Sequence, residues 1–173
     1  MSSVLVEQIT ALWQPPVAVV GVGNDMRGDD AFGPAVVAML PDRLPVARFD
    51  AGMAPENWLG PITRAEPGTV LVVDAAAIDS PPGSLRLLRP DELEGVGVST
   101  HGLPIGFFLG MVAERTGAQV FLLACQPTSL RLGSPMSDVV QAAARRAAAA
   151  IAAACGAAWP RPSASCAPPN QHV

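Results

Sequence analysis

Two carboxylates close the segment GVGNDMRGDD at residues 21–30, a third ends the apolar run VLVVD at Asp74, and His101 stands in STHGLP. Carboxylate oxygens and an imidazole nitrogen suit nickel, zinc or iron(II). Three protein ligands leave positions open on such an ion, where a substrate can enter. Each residue also has an ordinary reading. Asp29 or Asp30 can cap the helix that follows, Asp74 can be a turn carboxylate at a strand exit, and a lone histidine is commonly a hydrogen-bonding residue. Against that, a charge at the end of a buried strand costs free energy unless it is paired or bound. Spacing along the chain does not establish that Asp30, Asp74 and His101 meet.

The same glycine-rich loop invites a phosphate-binding reading. A dinucleotide fingerprint needs G-x-G-x-x-G, but Met26 stands where the third glycine belongs, and no G-K-[ST] follows for a P-loop. A helix N-terminus favours anions, yet Asp29 and Asp30 bring negative charge there themselves. The loop therefore reads as a carboxylate presented to a cation, or as a cap. A serine-nucleophile elbow of the form G-x-S-x-G is absent. Cys125, at the exit of the last strand, leaves a Cys–His protease with His101 as a further alternative, beside the plain reading of a buried strand residue.

These side chains need a frame. Short Val-rich runs predict strands over residues 17–22, 46–50, 69–78 and 119–125, with an alternating fifth, a candidate edge strand, at 85–89. Helices are expected over 3–13 and 30–40, with Pro34 in the first turn of the latter. A short helix should follow Pro55, and another should end at Gly117. The last should run from an N-cap at Ser137 to a stop at Gly156. Alternating strands and helices with continuously apolar strands imply an α/β three-layer sandwich. In such sheets ligands sit outside the carboxyl ends of the strands, and Asp30, Asp50 and Asp74 all follow or end a strand.

The 173 residues suggest one domain, over 1–158, and the half that are hydrophobic suffice for a core. The tail over 159–173, rich in Pro, Ser and Ala, is expected to be disordered. A net charge of −4 argues against a nucleic-acid-binding footprint. Three cysteines without a C-x-x-C pair argue against a disulfide or zinc framework and fit a reducing cytoplasm. The opening residues, which include Glu7, do not read as a signal peptide. Arg145 and Arg146 break the alanine-rich stretch, so no membrane span is expected.

The ordered set GVGNDMRGDDAFGPAVV, DAGMAPENW, VLVVDAAAIDSPPGSLRLL, STHGLPI and LLACQP, spanning residues 17 to about 155, resembles the maturation endopeptidases of [NiFe] hydrogenases. DAGMAPEN and THGLP are most similar to the branch serving hydrogenase 3 of the formate-hydrogenlyase type. The resemblance implies a phosphorylase/hydrolase-like fold with a twisted, mostly parallel five-stranded sheet. It also implies an endopeptidase that clips a C-terminal extension from the hydrogenase large-subunit precursor after nickel insertion. Its three metal-contacting positions fall on Asp30, Asp74 and His101. Nickel would then arrive with the precursor, on cysteine thiolates, rather than reside in the enzyme. Asp30 stands where some members carry Glu, one methylene longer, while Asp25 and Arg27 replace commonly small or apolar residues. Nickel as a Lewis acid and an aspartate as general base both remain open. So do two other classes, a resident-metal, aminopeptidase-like hydrolase and a non-enzymatic module that binds a nucleotide or assists assembly.

Overall fold

The computed structural model describes residues 2–93 and 104–158. His101 and the tail therefore lie outside the described residues. The chain opens with α1 (Ser2–Leu12) and β1 (Val17–Val22). A single 3-10 turn over Gly28–Ala31 leads into α2 (Phe32–Met39), then β2 (Val46–Gly52). A second such turn, Pro55–Trp58, precedes α3 (Leu59–Arg64). The remainder is β3 (Thr69–Ala75), β4 (Leu85–Leu88), α4 (Ile105–Thr116), β5 (Gln119–Cys125) and α5 (Asp138–Ala158), with a short 3-10 turn at Pro90–Glu92.

The five strands form one sheet in the order β2-β1-β3-β5-β4. β1, β2, β3 and β5 run parallel, and β4 closes one edge antiparallel to β5. Every residue of β1 and β3 is buried, as expected for central parallel strands covered on both faces. Edge strand β2 is only partly covered. Side chains alternate across the sheet. Val17, Val19, Leu71, Val73, Leu123 and Cys125 pack with α1, α2 and α5. Ala18, Val20, Val70, Val72, Leu122 and Ala124 pack with α3 and α4. This is the α/β three-layer sandwich expected from the sequence.

Among the boundaries that differ from expectation, such as β2 running past residue 50 to Gly52, three have a clear local reason. The helix expected from residue 30 begins at Phe32, because Asp29 and Asp30 occupy the preceding 3-10 turn. β3 stops at Ala75, short of residue 78, where the Ile78 amide instead donates to Gln126 Oε1 at 2.7 Å. α5 runs through Gly156 to Ala158. Alanine is the strongest helix former, and one glycine costs only about 1 kcal/mol against it. Gly156 also lacks the positive φ that a left-handed cap requires.

The chain reverses direction between β1 and β3. From β1 it passes to β2 on one side, and from there it crosses over to β3 on the other. The start of α2 lies tight against this junction. A Cβ added at Gly33 would collide with the carbonyl oxygens of Val22 and Val73, and would sit 2.6 Å from Val22 N. One at Gly21 would lie 2.5 Å from Gly33 O. Backbone atoms cannot swing aside as a flexible side chain can. Gly33→Ala is therefore expected to lower unfolding free energy by about 1–3 kcal/mol. Gly110→Ala is the control, since its Cβ meets nothing within 4 Å on exposed helix surface, and it should be neutral or stabilising by up to about 1 kcal/mol. Urea denaturation of both variants checks the contrast.

Candidate active site

Immediately after β1 the chain folds into a compact loop. Gly23 N donates to Gly52 O at 3.0 Å, tying the loop to the end of β2, where the β1–β2 register also shifts. Asn24 N donates to Asp30 O (3.1 Å), Arg27 N to Asn24 O (3.0 Å) and Asp30 N to Arg27 O (3.2 Å), so residues 24–30 close on themselves. Asn24 Oδ1 accepts from Met26 N at 2.9 Å. At Gly23, φ is +151° and any Cβ would strike the Asp30 carbonyl. Glycine there lets the loop close and fixes where Asp30 emerges.

The two adjacent acids have separate tasks. Asp29 is a clamp. Its Oδ2 accepts from Thr128 N (2.7 Å) and Ser129 N (3.1 Å), and its Oδ1 from Ser137 N (2.7 Å). Backbone bonds reinforce the junction: Asp29 N to Ser129 O, Gly28 N to Ser134 O and Gly133 N to Met26 O. Arg27 adds a bond from Nε to Leu130 O at 3.4 Å. The first-strand loop is thereby sewn to the connection between β5 and α5, and a carboxylate sits at the start of α5, where the helix dipole favours it. Ser137 takes the N-cap place through its carbonyl, which accepts from Val140 and Gln141. Its hydroxyl donates to Thr128 Oγ1 at 3.4 Å.

Burial alone would raise the Asp29 pKa, but hydrogen bonds from Ser137, Thr128 and Ser129 outweigh it and hold the acid below its ordinary 3.8. A depressed folded-state pKa means that Asp29 stabilises the fold fully above its unfolded value and that this is lost as pH falls through the folded value. Asp29→Asn should therefore cost about 1–3 kcal/mol at pH 7. The gap to the wild type should narrow below about pH 4, which urea titrations at a series of pH values would measure.

Asp30 and Asp74 are both fully buried. Asp30 follows β1 in the turn that packs against β3. Asp74 is the penultimate residue of β3, in register with Ala124 of β5. The two acids thus flank the β1/β3 switch point at the carboxyl ends of the strands, the place where open α/β sheets bind ligands. Alternation puts the Asp74 side chain on the sheet face covered by α3 and α4. His101 lies outside the described residues. Among the described residues, no group of three or more His, Cys, Asp or Glu side chains is arranged to hold a metal ion.

Cys125 lies on the opposite face of the sheet, beside Ala75 in register and fully buried. Burial, and then the charge of Asp29, push its thiol up to about 12, eased only in part by Arg146. A thiol at that value holds almost no thiolate at neutral pH, so the structure disfavours a cysteine nucleophile here. Asp50 is an exposed residue of β2, in register with Gly21, whose Oδ1 accepts from Gly52 N at 3.3 Å. Sequence reasoning missed the clamp role of Asp29. The signal was the pair of adjacent acids, but their partners lie about a hundred residues downstream.

Comparison with known proteins converges on one family. The family described as HycI, hydrogenase maturation protease, matches residues 36–154, a stretch that contains Asp74 and His101. The hydrogenase 3 maturation protease of Escherichia coli K12 is 33% identical over 124 residues, covering 69% of this chain and 78% of that protein. The crystal structure of the [NiFe] hydrogenase maturation protease HycI from Thermococcus kodakarensis superposes with a TM-score of 0.77 at 32% identity, covering 86% of this chain and 98% of that one. E. coli HybD, at 23% identity and a TM-score of 0.62 over 78% of this chain and 88% of its own, shares the fold. With the buried acids at the sheet's switch point and this agreement over most of its length, the chain belongs to the hydrogenase maturation protease family.

Proposed function

We propose that this protein is the endopeptidase that removes the C-terminal extension from the large-subunit precursor of a [NiFe] hydrogenase, and that it acts on the nickel-loaded form. The observation that carries the site is the placement of Asp30 and Asp74, buried at the carboxyl ends of adjacent strands in a chain of this family. With His101 they supply oxygen and imidazole donors. The precursor's thiolates would provide most of the affinity for nickel, and these harder ligands would complete its shell from the protease side. A donor set too weak to keep a metal for itself can report whether the substrate carries one. Nickel so held would anchor the precursor and place the scissile carbonyl, and either aspartate could take the proton from the attacking water.

Two observations fit a reducing, cytoplasmic setting for such a reaction. Cys125 and Cys155 are free, buried thiols. Among the described residues, no helix is long and apolar enough to cross a membrane.

The test is cleavage of the cognate precursor, prepared with and without nickel and followed by mass spectrometry of its C-terminus. Wild-type protein should trim only the nickel-loaded form. Asp30→Ala, Asp74→Ala and His101→Ala should each lose roughly 10²-fold or more in rate, with folding verified by circular dichroism. Intact processing by the folded variants would overturn the site. Trimming of both precursor forms would keep the protease and remove the nickel requirement.

A further inference from the structure

Beside the buried acids, a cleft of about 290 Å³ opens between the first-strand loop and the end of β2. Its walls include Gly23 and Pro34, and Gly23 lies directly against the Asp30 carbonyl. The cleft therefore adjoins the turn that carries Asp30. Three large apolar side chains stand out at this end of the sheet. Met26 is 66% exposed, Met53 60% and Leu132 67%. Solvated apolar side chains on a mobile loop would mean little, but these stand on backbone that is pinned. Gly133 N donates to Met26 O at 2.8 Å, joining the Met26 and Leu132 segments into one ledge. Asn24 Nδ2 reaches Met53 Sδ at 2.8 Å across the cleft. Asp25 and Asp50 also line the cleft, and no cationic side chain does. An acidic segment is thus disfavoured as its occupant.

Resting on the proteolytic reading above, we infer that Met26, Leu132 and Met53 are specificity-determining residues that dock an extended, apolar segment of the precursor beside the scissile bond. Apolar side chains carried on pinned backbone next to a reactive centre suit recognition of an apolar partner, and methionine adapts its shape to the chain it meets. The occupant is a segment of the protein substrate, because the cleft adjoins the turn that carries Asp30. These residues act on substrate binding and leave the chemical step alone.

The experiment is steady-state cleavage of the nickel-loaded cognate precursor by Met26→Ser, Leu132→Ser and Met53→Ser, alone and combined. Removing one well-buried apolar contact corresponds to about tenfold in affinity. KM should accordingly rise about tenfold for each single variant and further for the triple variant, with kcat unchanged. That pattern marks lost binding common to ground and transition states. Met39→Ser, exposed at the far end of α2, should cleave as wild type does, and thermal midpoints should stay unchanged because all four positions are on the surface. Unaltered KM in the triple variant, with wild-type cleavage intact, would overturn the docking surface alone. A lowered kcat at unchanged KM would also overturn it, by moving these residues into the chemical step. Failure of the wild-type protein to cleave would instead remove the proteolytic reading on which the inference stands.

Discussion

Between the start of α2 and the ends of β1 and β3 there is no room for a side chain. Gly33 faces the carbonyl oxygens of Val22 and Val73 directly, and Gly21 faces Gly33. Much of the site follows from this contact. It brings the turn carrying Asp30 down onto the β1/β3 junction, one residue from Asp74 along β3. Asp30 is fully buried there, and burial makes its charge expensive unless something compensates it.

The second constraint is the Asp29 clamp. Three backbone amides converge on one carboxylate, and all three belong to the connection between β5 and α5. Hydrogen bonds to an ionised group are roughly twice as strong as neutral ones, so the loop carrying Asp30 has little freedom to shift. The GDD sequence thus divides its work. The glycine, at φ +60°, brings the backbone within reach of Ser134 O. The first acid fixes the loop, and the second is buried at the carboxyl ends of the central strands. Fixed geometry of this kind suits the proposed role of contacting a metal already held by the precursor, since no rearrangement is needed when it arrives.

Much of this architecture was legible in the sequence. The buried strands announced themselves as short valine-rich runs, and the rule that ligands gather at strand carboxyl ends pointed to Asp30, Asp50 and Asp74 alike, with only the family resemblance separating Asp30 and Asp74 from Asp50. What escaped was non-local. Nothing near Asp29 in the chain tells it apart from Asp30, because the amides that define its role come from Thr128, Ser129 and Ser137. Gly156 looked like a helix stop, and the surrounding alanines carried the helix past it. β3 ended early because a glutamine side chain, 48 residues away, took the Ile78 amide. The Cys–His alternative lost ground once Cys125 was found buried on the face away from Asp74. Exposed methionines leave no periodic trace, and they acquired meaning only from their position beside the cleft.

The central claim is that Asp30, Asp74 and His101 contact nickel presented by the precursor. Nickel K-edge X-ray absorption measures this most directly, on the loaded precursor alone and freeze-quenched after mixing with the protease. The account predicts added oxygen and nitrogen neighbours around sulfur-ligated nickel on mixing with wild-type protein, and their loss with Asp30→Ala. A nickel environment that stays unchanged while the precursor is being cleaved would contradict it.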